Sequence, residues 1–162
     1  MRRSVFAVAG VVVAVGLLSG CGAEILPLVA VRVDDGGTAE VVLRPCGDDP
    51  IQGLSLEGAP AGDESGRNLS GWRVPGKRRG GDAEFPLFSP PATWHARAVG
   101  EQRPVRSYTY ELAFGKAEFN YEYTGTVTFR ASDLAALGPG QVWADGRAMS
   151  LGEFEELAED SC

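Results

Sequence analysis

Histidine is almost absent from this chain of 162 residues, in which His95 is the single example. No serine or cysteine nucleophile stands in a recognisable catalytic context with it, so we expect a structural or surface histidine. The sequence also lacks a phosphate-binding loop, a zinc motif and a haem motif. These absences predict a protein that uses no cofactor, holds no metal ion and is not an enzyme.

Acidic pairs occur, but the calcium-binding loop pattern is missing. Asp34, Asp35, Asp48 and Asp49 are the best acidic candidates for a cation site. They lack the spacing of a twelve-residue calcium loop, with its internal glycine and terminal glutamate. Ordinary turn chemistry is therefore the prediction for these aspartates.

Long apolar runs are missing as well. The run from Val5 to Leu18 contains 14 residues, whereas a helix needs about 20 to cross the hydrocarbon core of a bilayer. It follows Arg2 and Arg3 and ends in small residues, which is the three-part pattern of a secretory signal. The pattern predicts that residues 1–20 are a signal peptide and that the remainder is exported.

The end of the signal carries a family resemblance. Leu18-Ser19-Gly20-Cys21 resembles the lipobox of bacterial lipoproteins at all four positions. The resemblance implies cleavage before Cys21 and lipid on its sulfur, and hence a protein anchored on the extracytoplasmic face of the cell membrane. Frequent Ala, Gly, Val and Arg favour an actinobacterial source. The alternative is a cleaved secretory peptide followed by an unrelated cysteine.

The exported part is predicted to be one acidic domain. Residues 21–27 are expected to be the lipidated N-terminus and a short tether, and residues 28–162 a single β-rich domain of common size. The precursor has a net charge of −7, and the loss of Arg2 and Arg3 makes the mature chain more acidic still. Such a charge gives no reason to expect nucleic acid as a partner.

Of the three cysteines, two remain to be explained once Cys21 is assigned to lipid. Cys46 and Cys162 remain, and outside the cytoplasm we expect them to form a disulfide. Neither belongs to a CxxC motif, which disfavours a redox or metal role.

Short β-type segments fill most of the mature chain. A terminal helix is expected from Leu151 to about Asp160, because Ser150 and Glu153 form a capping box. The predicted strands cover residues 28–34, 38–44, 51–57, 70–74, 94–99, 108–114, 119–129, 141–144 and 147–149.

The clearest alternation lies in residues 108–114 and 119–129. A two-residue turn at Gly115-Lys116 would place Leu112 opposite Phe119 and Tyr110 opposite Tyr121, which makes an aromatic ladder on one face. The ladder is interpreted as core packing, because the opposite face is polar. Stacking on a sugar is the alternative, and buried rings would exclude it.

This pattern predicts an antiparallel β-sandwich with a short C-terminal helix, and a small barrel is the alternative. The strand beginning Tyr108-Thr109-Tyr110 resembles the penultimate strand of fibronectin-type and immunoglobulin-like sandwiches. The resemblance implies that a tyrosine near the strand start hydrogen-bonds back to the preceding chain.

Two groups of residues are candidates for ligand or surface contact. Lys77, Arg78 and Arg79 form a cationic cluster in an acidic domain, which could contact anionic lipid, although a solvated loop is favoured because three charges are few. The other group is aromatic and consists of Phe85, Phe88 and Trp94. Phe85 and Phe88, with Leu87, are expected to pin their loop to the core, and a binding edge is the alternative.

The predicted function is a non-catalytic binding module of the cell envelope. An envelope protein, a wall polymer or a small ligand would be the partner, and the lipid on Cys21 would hold the module at the membrane. The alternative is a cell-wall glycan hydrolase, which would need two carboxyl groups converging in a cleft. A sequence with 22 acidic residues leaves that alternative open.

Overall fold

The computed structural model of the chain describes residues 23–63, 65–78, 80–115 and 122–162, with backbone alone for Lys77 and Arg78. Several predictions therefore lie outside the described residues. They concern Cys21, Arg79 and the pairing through Phe119 and Tyr121.

Within the described residues, seven strands form one sheet, called sheet A here. They are β1 (Glu24–Leu26), β4 (Ile51–Pro60), β5 (Ser70–Arg73), β6 (Lys77–Arg78), β8 (Arg97–Gly100), β9 (Tyr108–Gly115) and β10 (Tyr123–Arg130). The strand order is β1-β10-β9-β4-β5-β8, and β6 pairs with the beginning of β4. Only β1 and β10 pair in parallel among these strands.

Five described strands form the facing sheet, called sheet B. They are β2 (Val29–Val33), β3 (Ala39–Leu43), β7 (Ala83–Pro86), β11 (Gln141–Ala144) and β12 (Arg147–Ser150). Their order is β12-β11-β2-β3-β7, and all four pairings are antiparallel. Two facing sheets confirm the β-sandwich over the small barrel.

The core lies between the sheets. Trp72 of sheet A and Phe85 of sheet B meet across it with ring centroids 5.9 Å apart. The Trp72 indole N–H also donates to the carbonyl oxygen of Leu87 at 2.7 Å, so its polar atom is satisfied in the apolar interior. The largest fully buried side chains are Trp72, Tyr110, Phe114, Phe129 and Phe154.

Local turn chemistry explains two hairpins of sheet B. The Asp34 carboxylate accepts the Thr38 backbone N–H at 2.7 Å between β2 and β3, which confirms a turn role for this aspartate. Between β11 and β12, Asp145 and Gly146 both have positive φ, 48° and 71°. That conformation is the one a two-residue hairpin turn requires.

The predicted register of β9 and β10 is wrong, although the predicted face is correct. Leu112 lies opposite Val127, and Tyr110 lies opposite Phe129. Compared with the prediction, the partner of Leu112 is eight residues further along the chain. A shift by an even number of residues keeps every side chain on its face. Tyr110 and Phe129 accordingly stack in the core, with centroids 5.6 Å apart and both rings inaccessible to solvent, which confirms core packing for them.

The tether is shorter than predicted. Glu24–Leu26, which was assigned to it, forms β1 and pairs with the beginning of β10 through Glu24 and Tyr123. Leu26 is buried, and this burial explains why so short a segment joins the sheet. Only two residues stand between Cys21 and Glu24.

The strand predicted from Trp94 begins later. Residues Ala92–Trp94 form a 3-10 turn after Pro91, and the His95 N–H closes it by donating to the Ala92 carbonyl at 3.1 Å. His95 has a left-handed backbone, with φ 51°. It is exposed and outside any strand, so its predicted place in a strand is wrong.

Two helices complete the described fold, α1 (Ala131–Ala135) and α2 (Leu151–Ser161). Ser150 and Glu153 form the predicted capping box of α2, and Phe154 is fully buried against the sandwich. The predicted disulfide joins Cys46 to Cys162, with Cα atoms 5.4 Å apart. Within the described residues, neither helix has the length and apolar composition needed to cross a membrane.

Candidate binding cleft

An apolar cleft of about 680 Å³ opens at one end of the sandwich, and it is called the distal cleft here. This volume lies within the range of about 300–1,000 Å³ that is usual for small-molecule sites. Four separate segments supply its walls: the β2–β3 turn, the chain after β7, the loop before β9, and α1 with the residues after it. The lining side chains include Val33, Ala39, Leu87, Phe88, Gln102, Arg103, Pro104, Ala131, Leu134, Ala135 and Leu137.

Helix α1 forms one wall and is held by a cap and a single buried leucine. The Asp133 carboxylate accepts the backbone N–H of Arg130 at 2.7 Å, which fixes the point where β10 passes into the helix. Leu134 is buried and anchors the helix to the core. Ala135 and Leu137 remain accessible at the cleft, one exposed and the other half-buried.

The chain after β7 forms the opposite wall. Leu87 N–H donates to the carbonyl oxygen of Ala39 at 2.8 Å, which extends the pairing of β7 with β3. Ser89 N–H then donates to the carbonyl of Pro86 at 2.9 Å and turns the chain. The half-buried Phe88 ring lies edge-on to Tyr110, with centroids 5.8 Å apart, so the core fixes its position at the cleft.

The loop before β9 is held by two side chains. Tyr110 Oη accepts the backbone N–H of Val105 at 2.9 Å and bonds Ser70 Oγ at 3.1 Å. This is the tyrosine hydrogen bond that the fibronectin resemblance implied. The Gln102 amide N–H₂ donates to the carbonyls of Gly71 and Val99 at 2.8 and 3.0 Å. The loop is therefore tied to the edge of sheet A.

One cation stands at the rim of the distal cleft. Arg103 Nε donates to Glu101 Oε2 at 3.0 Å, and the Arg103 side chain is 77% exposed. The two terminal nitrogens of Arg103 have no hydrogen-bond or ion-pair partner among the described residues. Such a guanidinium retains donors that suit a carboxylate or phosphate.

A second cavity, of about 300 Å³, lies beside the disulfide and contains charged groups. Arg44 donates there to Glu84 and Glu155 at 2.6 and 2.9 Å, and Asp82 lies 3.6 Å away. Partial burial opposes the charge of Arg44, but the hydrogen bonds that Arg44 donates to the two glutamates, together with the negative charges of Asp82 and Glu84, outweigh it and raise its pKa. The hydrogen bond from Arg44 lowers the pKa of Glu84.

A glycoside hydrolase uses a catalytic acid whose pKa is raised, so that it is protonated near neutral pH. The pKa values of Asp63, Glu84 and Glu153 are shifted in the opposite direction, because each of these carboxylates accepts hydrogen bonds. Among the described residues, no group of three or more His, Cys, Asp or Glu side chains could hold a metal ion.

The three aromatic residues predicted to contact a ligand do not line one cleft. Phe88 lines the distal cleft, whereas Phe85 is buried between Trp72 and Trp94, with the Trp94 centroid 4.9 Å away. Trp94 is half-buried and does not line the distal cleft. The backbone of Lys77 and Arg78 pairs with Gln52 and Ile51, at the beginning of β4.

Sequence reasoning did not single out most of the cleft. No sequence pattern identifies α1, Gln102 or Arg103 as part of a site. The one signal is that Leu134 and Leu137 are apolar, although Leu134 alone is buried in α1. Nothing in the sequence shows that this helix faces the segment around Phe88.

Strand β10 relates the cleft to the beginning of the fold. Its first residue, Tyr123, pairs with Glu24 of β1, and its last, Arg130, leads into the helix that lines the cleft. The seven residue steps along β10 span about 23 Å, at roughly 3.3 Å each. The chain therefore enters the fold at the end of sheet A opposite the distal cleft.

No family model matches this chain, and no curated protein or solved structure is significantly similar to it.

Proposed function

We propose that this protein is a membrane-anchored, extracytoplasmic binding module that holds its ligand in the distal cleft. The single observation that carries the proposal is the cleft itself, which has the volume and the apolar lining of a ligand site. Core contacts and hydrogen bonds hold its walls in place, so the site is preformed. Preformed walls reduce the entropy that a ligand must lose on binding.

Two further features support the export and anchoring. The Cys46–Cys162 disulfide fits an oxidising compartment. Glu24 already belongs to a strand, so lipid on Cys21 would hold the domain against the bilayer with two intervening residues. Since the distal cleft is at the other end of β10, it would open away from the membrane and toward the envelope.

A non-catalytic role agrees with the chemistry of the described acids. Glu84 and Glu155 are paired with Arg44, and among the described residues no paired carboxyl groups line the distal cleft. The described residues of the distal cleft provide apolar contacts and one cation, Arg103, at its rim. These are means of binding rather than of bond cleavage.

The anchor is tested by mass spectrometry of the N-terminal peptide from membranes of the producing cells. We expect a peptide that begins at Cys21 and carries acyl chains, and a Cys21→Ala variant that carries none. An unmodified Cys21, or a mature N-terminus elsewhere, would contradict the lipoprotein proposal.

The cleft is tested by site-specific photocrosslinking in the same cells. Ala135 lines the distal cleft, whereas its neighbour Ala136 is also exposed and does not. A photoreactive residue at position 135 should therefore capture a defined adduct that the same residue at position 136 does not capture. Equal capture at both positions would show that the cleft is not the binding site.

A further inference from the structure

The Gln102 amide and the Leu87 carbonyl, two polar groups along the distal cleft, are used within the protein itself. The Gln102 amide donates to three backbone carbonyls, and the Leu87 carbonyl accepts from Trp72. A polypeptide entering the cleft would leave its own N–H and C=O groups without partners there, which is unfavourable. A hydrocarbon chain makes no such demand, and the walls formed by Leu134 and Leu137 suit it.

The rim adds a charge requirement. Arg103 is the cation that lines the cleft, and in the described structure its one side-chain bond is the contact of Nε with Glu101. The terminal nitrogens of Arg103 carry N–H donors, and a guanidinium binds a carboxylate through such paired donors. The ligand group that suits this rim is therefore anionic. An apolar chain that ends in an anionic group satisfies both the walls and the rim.

We infer that the distal cleft takes a single-chain anionic amphiphile of the fatty-acid type. Its chain lies among Val33, Leu134 and Leu137, and its carboxylate lies at Arg103. The inference rests on the proposed function, because it names the ligand class of the same cleft. The cleft is about 23 Å from the entry of the chain, along β10. The amphiphile therefore comes from the envelope side rather than from the bilayer beneath the anchor.

The test uses a photoreactive fatty acid with the protein in membranes of the producing cells. After irradiation, adducts are mapped by mass spectrometry. We expect them on the peptides that contain residues 131–137 and 86–89. Adducts confined to the residues next to Cys21 would show only partition of the probe into the bilayer and would overturn the inference.

Two matched pairs of variants sharpen the result. Ala135→Trp should reduce cleft labelling about tenfold by filling the site, a size expected for the loss of one apolar side-chain contact, while Ala136→Trp should leave labelling unchanged. Arg103→Gln should reduce it about two- to fivefold, the range of an exposed ion pair. Arg106→Gln is the control, since Arg106 is exposed and lies outside the cleft lining. Labelling that is insensitive to Ala135→Trp would overturn the inference.

A probe with its carboxylate converted to a methyl ester tests the head group. We expect weaker labelling of the wild type and no further loss in Arg103→Gln. If the fatty acid fails to label the cleft while position 135 still captures a polypeptide in cells, the ligand class is wrong and the proposed function stands. If neither labels the cleft, the proposed function fails as well.

Discussion

Removal of the Cys46–Cys162 disulfide should lower the stability of the domain through its unfolded state. The bond closes a loop with a sequence separation of 116 residues. In the chain-entropy model, a loop of this length contributes about 4.8 kcal/mol at 25 °C. Helix α2 retains other contacts with the sandwich, since Phe154 is buried and Glu155 bonds Arg44. The native contacts should therefore survive the substitution.

The assay is guanidinium denaturation of the double variant Cys46→Ser and Cys162→Ser, followed by tryptophan fluorescence. We expect a lower midpoint and a free energy of unfolding reduced by about 3–5 kcal/mol, the lower bound allowing for strain or residual structure in the unfolded chain. The slope with denaturant should rise slightly, because an unfolded chain without the cross-link exposes more surface.

Reduced wild-type protein is the control for the serine substitutions and should match the double variant. A difference below about 1 kcal/mol between oxidised and reduced wild type would refute the chain-entropy reasoning. Hydrogen exchange gives a second readout, since the last turn of α2 should exchange faster once Cys162 is released.

Three further predictions concern the core and the charged face. Tyr110→Phe should cost about 1–3 kcal/mol in thermal or chemical unfolding, because it removes the acceptor of the half-buried Val105 N–H and the partner of the buried Ser70 hydroxyl; an unchanged midpoint would contradict this role. Gly58→Ala should destabilise by at least about 1–3 kcal/mol, because a Cβ there would collide with the Tyr110 ring. The control Gly152→Ala meets open space in α2 and should stabilise slightly. Arg44 lowers the pKa of Glu84 below its usual value of 4.5. The stabilising contribution of the Glu84 carboxylate is therefore fully present above pH 4.5 and is lost as the pH falls through the lowered pKa. Glu84→Gln should flatten the acid limb of a stability–pH curve, and an unaltered limb would contradict the pairing.

The elements that the sequence predicts well are those specified by neighbouring residues. The β11–β12 hairpin follows from Asp145-Gly146, and the beginning of α2 follows from Ser150 and Glu153. The alternation of β9 and β10 correctly separates the buried face from the exposed one, because side chains in a strand alternate with a period of two.

The errors arise where tertiary packing decides between local alternatives. The register of β9 and β10 was inferred from a turn signal at Gly115, but the core pairs Tyr110 with Phe129. Glu24–Leu26 lacks a strong strand pattern and joins the sheet through the burial of Leu26. The 3-10 turn Ala92–Trp94 takes up the beginning of the strand that was expected from Trp94, and β8 starts only at Arg97.

The distal cleft was beyond sequence reasoning for a related reason. Its walls come from segments around residues 38, 88, 103 and 135, which are far apart in the chain. Only the sandwich topology brings them to one end. Phe88 was a candidate contact residue and does line the cleft, but its alternative role in packing is also visible in its contact with Tyr110.

The central claim, that the distal cleft holds a ligand, is tested most directly by native mass spectrometry. The protein is extracted from membranes of the producing cells under non-denaturing conditions. The account predicts a bound small molecule, seen as an added mass, on the wild type and on Ala136→Trp but not on Ala135→Trp, with all three proteins unfolding at similar temperatures. An added mass that persists on Ala135→Trp would place the binding site elsewhere and contradict the assignment of the distal cleft.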